Sequence, residues 1–358
     1  MNAQAPKPNL VFLDDDQNFL DGLRRALNKY KNEWNIAFVS TADEAFAKFG
    51  DRRVDILISD HDMPGMMGDT VMEVVRQRWP GTVRVMLSGR PIPAIAPLLM
   101  GVAHRTFSKP CDPDQLSLYL SRVIVAIRLM KNPLVLELVG GLSSPPMPRS
   151  VIEAAREKHL KADFQIAAAL FQLATSHLSG EGTSHAGDDS SIRLAIAELE
   201  RSARTDTHIV GNPLIDMLWD EASEITATVQ RMAKAANLDH AKQRELGIAG
   251  PYCNVGSIAL AQVLPWNYAS TVGTSDTPLR WEREKTAFGA TGLNVGAFLL
   301  TIWGFPEDII DEVRSQDVTL ATMGNHPREV RVLAGARDRS WPELVEIEKS
   351  LAAEASAA

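Results

Sequence analysis

The sequence predicts an α/β domain with a doubly wound, five-stranded parallel sheet, followed by an all-α domain. In the first 125 residues, short apolar runs alternate with segments whose apolar residues recur at helical spacing, the pattern of successive βα units. After about residue 140 strand-like runs nearly vanish and helical patterns follow one another. The 358 residues are enough for two domains that each bury a core.

Five short apolar runs supply the predicted strands: residues 9–13, 36–39, 54–59, 82–87 and 103–107. The run at 54–59 is apolar almost throughout, which is typical of a strand buried on both faces. Helical stripes follow the first three strands, and a long helix is predicted over 112–130. Strands and helices in this alternation favour a sheet covered by helices on both faces.

Composition excludes several classes of function. The formal net charge is -8 and the pI is near 5.6, so no basic surface for nucleic acid is indicated. Only two cysteines occur, Cys111 and Cys253, which favours a reducing compartment over a disulfide framework. Without an N-terminal apolar signal segment or an apolar run of 18 residues, we expect a cytoplasmic protein that does not enter a membrane.

Acidic and polar residues follow four of the predicted strands. Asp14 and Asp15 come after the first strand, Asp60 after the third, Ser88 after the fourth and Lys109 after the fifth. Because the carboxyl ends of parallel strands meet at one edge of the sheet, these side chains are expected to lie close together. An aspartate after a strand, taken alone, is more often a helix N-cap than a functional residue. A functional site is favoured here because such residues follow four strands in this order.

Such a cluster has a definite chemistry. Two carboxylates about 5 Å apart repel by roughly 3 kcal/mol at an effective dielectric of about 20, so a cation is expected between them. Oxygen-rich acid clusters suit Mg²⁺. Asp60 could then attack phosphorus as a nucleophile, while Lys109 pairs with the phosphoryl group and Ser88 donates a hydrogen bond to it.

The motifs VFLDDD, LISDHDMPG, VMLSGR and FSKP, spread over residues 9 to about 125, resemble those of response-regulator receiver domains. The resemblance implies that Asp60 is the phosphoacceptor, that Asp14 and Asp15 bind Mg²⁺ with it, that Ser88 is the switch hydroxyl and that Lys109 senses the phosphoryl group. It also implies a cis peptide before Pro110 and a sensor histidine kinase or phosphotransfer protein as partner.

One position departs from the receiver pattern. Receivers usually carry an aromatic residue three positions before the lysine, where this chain has Thr106, and its aromatic residue is Phe107. The switch is therefore expected to be damped or built differently. The helical pattern that begins at 112–130 continues to about residue 138, with an interruption at Pro133. This segment is expected to form a linker or a dimer seam. Alternatively, its first half packs on the receiver's own sheet.

The second half is predicted to be helical. The helical patterns are at residues 151–158, 164–178, 192–199, 213–238 and 242–263, with a further helix opened by Pro306 and a flexible loop at 179–191. Prolines 145, 146 and 148 mark a boundary. We predict a receiver at 1–125, a helical linker at 126–141, an all-α output domain at 142–330 and a helical tail at 331–358.

The output domain resembles the HDOD family, which is related to the HD phosphohydrolases. The resemblance rests on WEREKTAFGATGLNVGAFLLTIWGFPEDIIDEV (281–313), LSSPPMPRSVIEAA (142–155) and LGIAGPYCNVGSIAL (246–260). Where relatives carry a His-Asp pair this chain has Cys253 and Asn254, with Gly256 retained. A cysteine and an amide cannot replace a His/Asp metal pair, and the scattered histidines form no His-x-x-x-His motif.

These patterns together predict a cytoplasmic response regulator. Its helical domain would act through contacts with a downstream signalling protein or through its own dimerisation, without enzymatic activity beyond the receiver's own phosphorylation and dephosphorylation. The alternative is a regulated, metal-dependent phosphohydrolase acting on a nucleotide or cyclic dinucleotide, which would require a transition metal in the second half. A DNA-binding output is disfavoured by the acidic charge balance.

Overall fold

A computed structural model describes residues 6–90, 101–143, 213–235, 237–275 and 277–315. The five strands form one parallel sheet in the order β2-β1-β3-β4-β5, which confirms the predicted sheet. Their bounds are β1 Asn9–Leu13, β2 Asn35–Val39, β3 Ile56–Asp60, β4 Val83–Ser88 and β5 Arg105–Ser108. Strand β3 ends on Asp60 itself, one residue later than predicted, so the acid belongs to the buried strand end.

Five described helices accompany the sheet: α1 Gln17–Ala26, α2 Ala42–Asp51, α3 Gly68–Arg78, α4 Pro113–Leu129 and α5 Pro133–Gly140. Side chains alternate across β1, so Leu10 and Phe12 join the core beneath α1 and α4. Val11 and Leu13 join the core beneath α2 and α3 on the opposite face. The sheet is therefore buried on both faces, as the continuous apolar strands predict.

The break between α4 and α5 lies at residues 130–132. Asn132 caps α5 by accepting hydrogen bonds from the backbone N–H groups of Leu134 and Val135, and Pro133 occupies the first turn. Helix α4 buries Leu120 against the sheet. Its first half thus packs on the receiver's own sheet, one of the two arrangements that the sequence left open.

A buried arginine holds the end of α5 against the sheet. Arg84 lies in β4, is fully buried, and donates hydrogen bonds to the carbonyl oxygens of Pro80, Thr82 and Gly140 at 3.2, 3.0 and 3.2 Å. The ring of His104 accepts the Arg84 backbone N–H at Nδ1, so its Nε2 donates to the Gly140 oxygen. Burial lowers the pKa of Arg84 to about 9 and the pKa of His104 well below its usual range.

The described part of the second half is helical, as predicted. Its helices are α6 Pro213–Ala235, α7 His240–Tyr252, α8 Val255–Val263, α9 Pro265–Thr271, α10 Thr277–Phe288, α11 Gly292–Ile302 and α12 Glu307–Arg314. The single helical pattern predicted at 242–263 is wrong, since α7 ends at Tyr252 and Asn254 is the residue before α8. Pro306 directly precedes α12 rather than occupying its first position.

The predictions for residues 144–212 and 316–358 lie outside the described residues. They comprise the proline boundary, the helices at 151–158, 164–178 and 192–199, the loop at 179–191 and the tail at 331–358. Among the described helices, none combines the length and the apolar character that crossing a bilayer requires.

A buried carboxylate organises the helical domain. Glu284 of α10 is fully buried and accepts hydrogen bonds from the hydroxyls of Ser257 and Tyr268 at 2.6 and 2.7 Å. It also accepts the backbone N–H of Gly292 at the start of α11, at 2.5 Å. One side chain thereby joins α8, α9, α10 and α11, and an anion near a helix N-terminus is electrostatically favourable.

Candidate phosphoacceptor and metal site

The predicted site residues lie at one edge of the sheet. Asp14 follows β1, Asp60 and Ser88 end β3 and β4, and Lys109 follows β5. The parallel register places Asp60 beside Leu87 and Ser88 beside Ser108, so these strand ends are level with one another. The edge is therefore the carboxyl end of the sheet, where α/β folds place their functional groups.

Three carboxylates come together at this edge. One oxygen each of Asp14, Asp15 and Asp60 lies within 4.8 Å of the other two. Asp14 and Asp60 are buried, at 1% and 6% exposure, whereas Asp15 is exposed and leaves the cluster open on one side. Among the described residues this is the one group of acidic, histidine or cysteine side chains with the spacing of a cation site.

Lys109 binds two of these carboxylates directly. Its Nζ lies 2.6 Å from Oδ2 of Asp14 and 2.7 Å from Oδ1 of Asp60. The ammonium also lies 4.5 Å from the ring centroid of Phe19 in α1, within cation–π range. One cation thus bridges two buried acids whose mutual repulsion would otherwise be unfavourable.

Burial and ion pairing act in opposite directions on these groups. Burial raises the pKa of Asp14, and the hydrogen bond and charge of Lys109 counteract only part of that rise. Burial also acts to lower the pKa of Lys109, but the contacts with Asp14 and Asp60 outweigh it and the net pKa is raised. The lysine therefore stays charged at neutral pH and supplies the positive charge of the cluster.

The donor set fits a hard divalent cation. Three carboxylates offer oxygen ligands only, and the exposed position of Asp15 leaves room for water ligands. The partly desolvated Asp14 carboxylate gains further from an added positive charge, since burial penalises its ionised form. Mg²⁺ at this edge would be held by Asp14, Asp15 and Asp60.

Ser88 is fully buried at the end of β4. Its Oγ accepts a hydrogen bond from the backbone N–H of Arg90 at 3.0 Å, and its carbonyl accepts the backbone N–H of Lys109 at 2.7 Å. An ion pair that the sequence analysis missed lies nearby, between Arg90 and Asp62 at 2.5 Å. Sequence position could have indicated this pair, because Arg90 stands two positions after Ser88 and Asp62 stands two positions after Asp60.

The peptide between Lys109 and Pro110 is cis, as the receiver resemblance implied. Phe107, the aromatic residue of β5, faces the opposite side of the sheet from Thr106, because neighbouring strand residues point to opposite faces. Phe107 packs edge-on against Tyr119 of α4 at a centroid distance of 5.5 Å. Thr106 is fully buried, and its hydroxyl has no hydrogen-bond partner among the described residues.

Cys253 and Asn254 serve helix packing. Both are buried; the Cys253 thiol donates to the carbonyl oxygen of Ala249 at 3.6 Å, and the Asn254 amide donates to that of Leu218 at 3.1 Å. These bonds fasten the α7–α8 junction to α6 and to α7 itself.

Comparison with known proteins agrees with this architecture. The family model described as a response regulator receiver domain matches residues 10–121, and the HDOD domain model matches residues 190–318. Both matches fall inside the ranges predicted for the two domains.

Two curated relatives match part of the chain. The hydrogenase transcriptional regulatory protein HoxA of Cupriavidus necator is 38% identical over 80 residues, which are 22% of this chain and 16% of that protein. HoxA of Bradyrhizobium diazoefficiens is 27% identical over 125 residues, 34% of this chain and 25% of that protein. The chain thus spans a quarter or less of the length of these relatives.

Solved receiver structures are also similar to the first domain. The receiver domain of an HD domain-containing protein from Pseudomonas fluorescens Pf-5 is 26% identical, with a TM-score of 0.33, and the match covers 34% of this chain and 98% of that one. The chemotaxis response regulator CheY4 of Vibrio cholerae is 25% identical, with a TM-score of 0.30, over 33% and 98%. From the two family matches and the observed sheet, the chain contains a response regulator receiver domain followed by an HDOD domain.

Proposed function

We propose that this protein is a phosphorylation-controlled response regulator in which Asp60 accepts a phosphoryl group from a histidine of a sensor kinase or phosphotransfer protein. The observation that carries the proposal is the joining of Asp14, Asp15 and Asp60 within 4.8 Å, with the ammonium of Lys109 on two of them. A nucleophilic carboxylate, acidic metal ligands and a fixed cation are the parts that phosphoryl transfer to an aspartate requires.

The transfer step balances with the residues at hand. A carboxylate oxygen of Asp60 attacks the phosphorus of phosphohistidine, an O–P bond forms, the P–N bond breaks, and the imidazole leaves with its bonding electron pair. Lys109 pairs with the developing charge on the phosphoryl oxygens, and the Ser88 hydroxyl, at the neighbouring strand end, donates a hydrogen bond to one of them. Mg²⁺ held by Asp14, Asp15 and Asp60 supplies further charge neutralisation when bound.

The helical domain is proposed to convey the signal through protein contacts. Its Cys253 and Asn254 are engaged in packing, and the resemblance to HDOD domains favours an output without catalysis. A phosphoryl group adds close to two negative charges to the receiver edge and biases the surface that the helical domain contacts. The output domain is proposed to contact a downstream signalling protein or a second copy of this chain. The proposed location is the cytoplasm, which a chain with two cysteines and no disulfide between them favours.

The test is labelling of the full chain by a small phosphoryl donor such as radiolabelled acetyl phosphate, with and without Mg²⁺. Wild type is expected to take up label only with Mg²⁺, and Asp60→Asn is expected to take up none because an amide is a poor nucleophile. Asp69→Asn, a carboxylate change in the first turn of α3, serves as the matched control and should label like wild type. Mg²⁺-dependent labelling of Asp60→Asn would overturn the proposal.

A further inference from the structure

The receiver and the helical domain meet at the end of α11. Arg105, the first residue of β5, donates a hydrogen bond from Nη1 to the carbonyl oxygen of Gly304 at 2.7 Å. Tyr119 of α4 donates its hydroxyl hydrogen bond to the carbonyl oxygen of Ile302 at 2.6 Å. Two receiver side chains therefore bind the carbonyl of the last residue of α11 and that of Gly304, two residues farther on, beside the helix end that carries a partial negative charge.

We name the contact of Arg105 and Tyr119 with these two carbonyl groups the Arg105 clamp. Its side chains pack closely. The guanidinium carbon of Arg105 lies 4.8 Å from the ring centroid of Phe107 and 5.1 Å from that of Tyr119. Gly304 has a φ of +77°, and a Cβ there would lie 1.4 Å from Nη1 of Arg105. The guanidinium thus occupies a space that exists only because residue 304 lacks a side chain.

Arg105 loses hydration in this position, and burial lowers the pKa of its guanidinium. Its Nε is buried and has no hydrogen-bond partner in the described ranges of the chain. Desolvation of a charge offsets much of what its contacts contribute, so the clamp has a modest net strength.

The clamp and the acidic site share one short strand. β5 runs from Arg105 to Ser108, and the next residue is Lys109, whose ammonium binds Asp14 and Asp60. Among the described strands, β5 lies at the edge of the sheet and pairs with β4 alone, so one set of backbone hydrogen bonds holds it in place. A force on the Lys109 ammonium therefore acts on the strand that positions Arg105.

We infer that phosphorylation of Asp60 releases the Arg105 clamp and so loosens the contact between the receiver and the end of α11. This inference rests on the proposed function. In the clamped arrangement Lys109 binds a carboxylate oxygen of Asp60 at 2.7 Å. An acyl phosphate carries its charge on oxygens farther from the strand end, the ammonium follows that charge, and β5 shifts with it. The space beside Gly304 that the Arg105 guanidinium fills is too closely packed to accommodate this movement of β5.

Hydrogen exchange of the full chain with Mg²⁺ and beryllofluoride, a phosphoryl mimic, tests the release. The amides of Gly304 and Phe305, bonded to the carbonyls of Thr301 and Leu300, are expected to exchange about five-fold faster or more in wild type once the mimic is added. They should not respond in Asp60→Asn. Unchanged or slower exchange at these amides in wild type, with protection near residues 60, 88 and 109, would overturn the inference and leave the proposed function standing.

Reciprocity gives a second measurement. If the mimic releases the clamp, the clamp must weaken binding of the mimic by the same factor, so weakening the clamp should tighten that binding. Arg105→Met and the milder Tyr119→Phe, which removes one hydroxyl, are each expected to lower the beryllofluoride dissociation constant about five-fold. Arg122→Gln is the matched control, since its ion pair with Glu307 crosses the same interface but is 39% and 55% exposed. Equal or weaker binding by the folded Tyr119→Phe variant would contradict the clamp. Absence of any binding by wild type would instead overturn the proposed function.

Discussion

A Cβ on Gly256 would lie 1.8 Å from the carbonyl oxygen of Gly292, so helices α8 and α11 pack with their backbones in contact. The same Cβ would lie 2.4 Å from the backbone nitrogen of Gly296. Backbone atoms cannot move aside as the end of a flexible side chain can. The glycine retained beside Cys253 and Asn254 therefore has a packing role that does not depend on any catalytic pair.

Gly256→Ala is expected to destabilise the helical domain by about 3 kcal/mol, because the added methyl group forces α8 and α11 apart. Gly247→Ala in α7 is the matched control, since among the described atoms the nearest neighbour of its Cβ would be Gln230 Nε2, at 4.0 Å. That change should leave stability equal or raise it by up to about 1 kcal/mol. Urea unfolding of both variants measures the difference, and similar midpoints would show that the close packing is not restrictive.

Two buried threonines of the receiver differ in one respect. Within the part of the chain that the structure describes, the Thr106 hydroxyl has no hydrogen-bond partner, whereas the hydroxyl of Thr82 donates to the carbonyl oxygen of Val54 at 2.8 Å. Thr106→Val should therefore stabilise the receiver by about 1 kcal/mol, and Thr82→Val should destabilise it by about the same amount. Opposite shifts of the urea midpoint are expected. A loss of stability in both variants would mean that Thr106 bonds within the folded chain.

Glu284 should make the stability of the helical domain depend on pH. Burial raises its pKa above the ordinary 4.5. Between pH 4.5 and the pKa of the folded state, the folded protein therefore holds a proton that the unfolded chain has lost. Stability from this group is full below about pH 4.5 and declines as pH rises through the folded-state pKa.

Glu284→Gln is expected to remove that pH dependence. The amide can accept from the Gly292 N–H while the Ser257 and Tyr268 hydroxyls rotate to accept its own hydrogens. Glu284→Ala should instead cost about 3 kcal/mol, since it leaves a cavity and unpaired donors. Unfolding free energies between pH 4 and pH 8 separate these cases. A glutamine variant with the wild-type pH profile would assign the dependence to another group.

Asp15 and Asp16 are adjacent carboxylates with different expected roles. Asp15 belongs to the three-carboxylate cluster, while Asp16 caps α1 by accepting the backbone N–H groups of Asn18 and Phe19. Asp15→Ala should weaken Mg²⁺ binding at least about ten-fold and leave the fold intact. Asp16→Ala should lower stability by about 1 kcal/mol and leave Mg²⁺ affinity unchanged. Calorimetric titration with Mg²⁺ compares them, and equal losses of affinity would remove Asp15 from the proposed ligands.

The candidate site was predictable because its members follow from local sequence and one rule of topology. Each of Asp14, Asp60, Ser88 and Lys109 ends or follows an apolar strand, and parallel strands bring their carboxyl ends together. The role of Asp16 was not predictable, since a third consecutive aspartate carries no local sign that distinguishes a cap from a ligand. Its N-cap geometry appears only when α1 is placed.

By itself, the sequence determined the parallel sheet, the helical second half and the residues at the sheet edge, because strand and helix periods are properties of neighbouring residues. Only the tertiary structure decided that Arg84 fastens α5 and that Arg105 and Tyr119 bind the end of α11. A charged residue within an apolar strand signals an unusual contact but does not name its partner. The partner depends on how helices pack against residues that lie nearly two hundred positions away in the sequence. Because every residue carries the same backbone carbonyl, the sequence does not indicate which carbonyl will be bound.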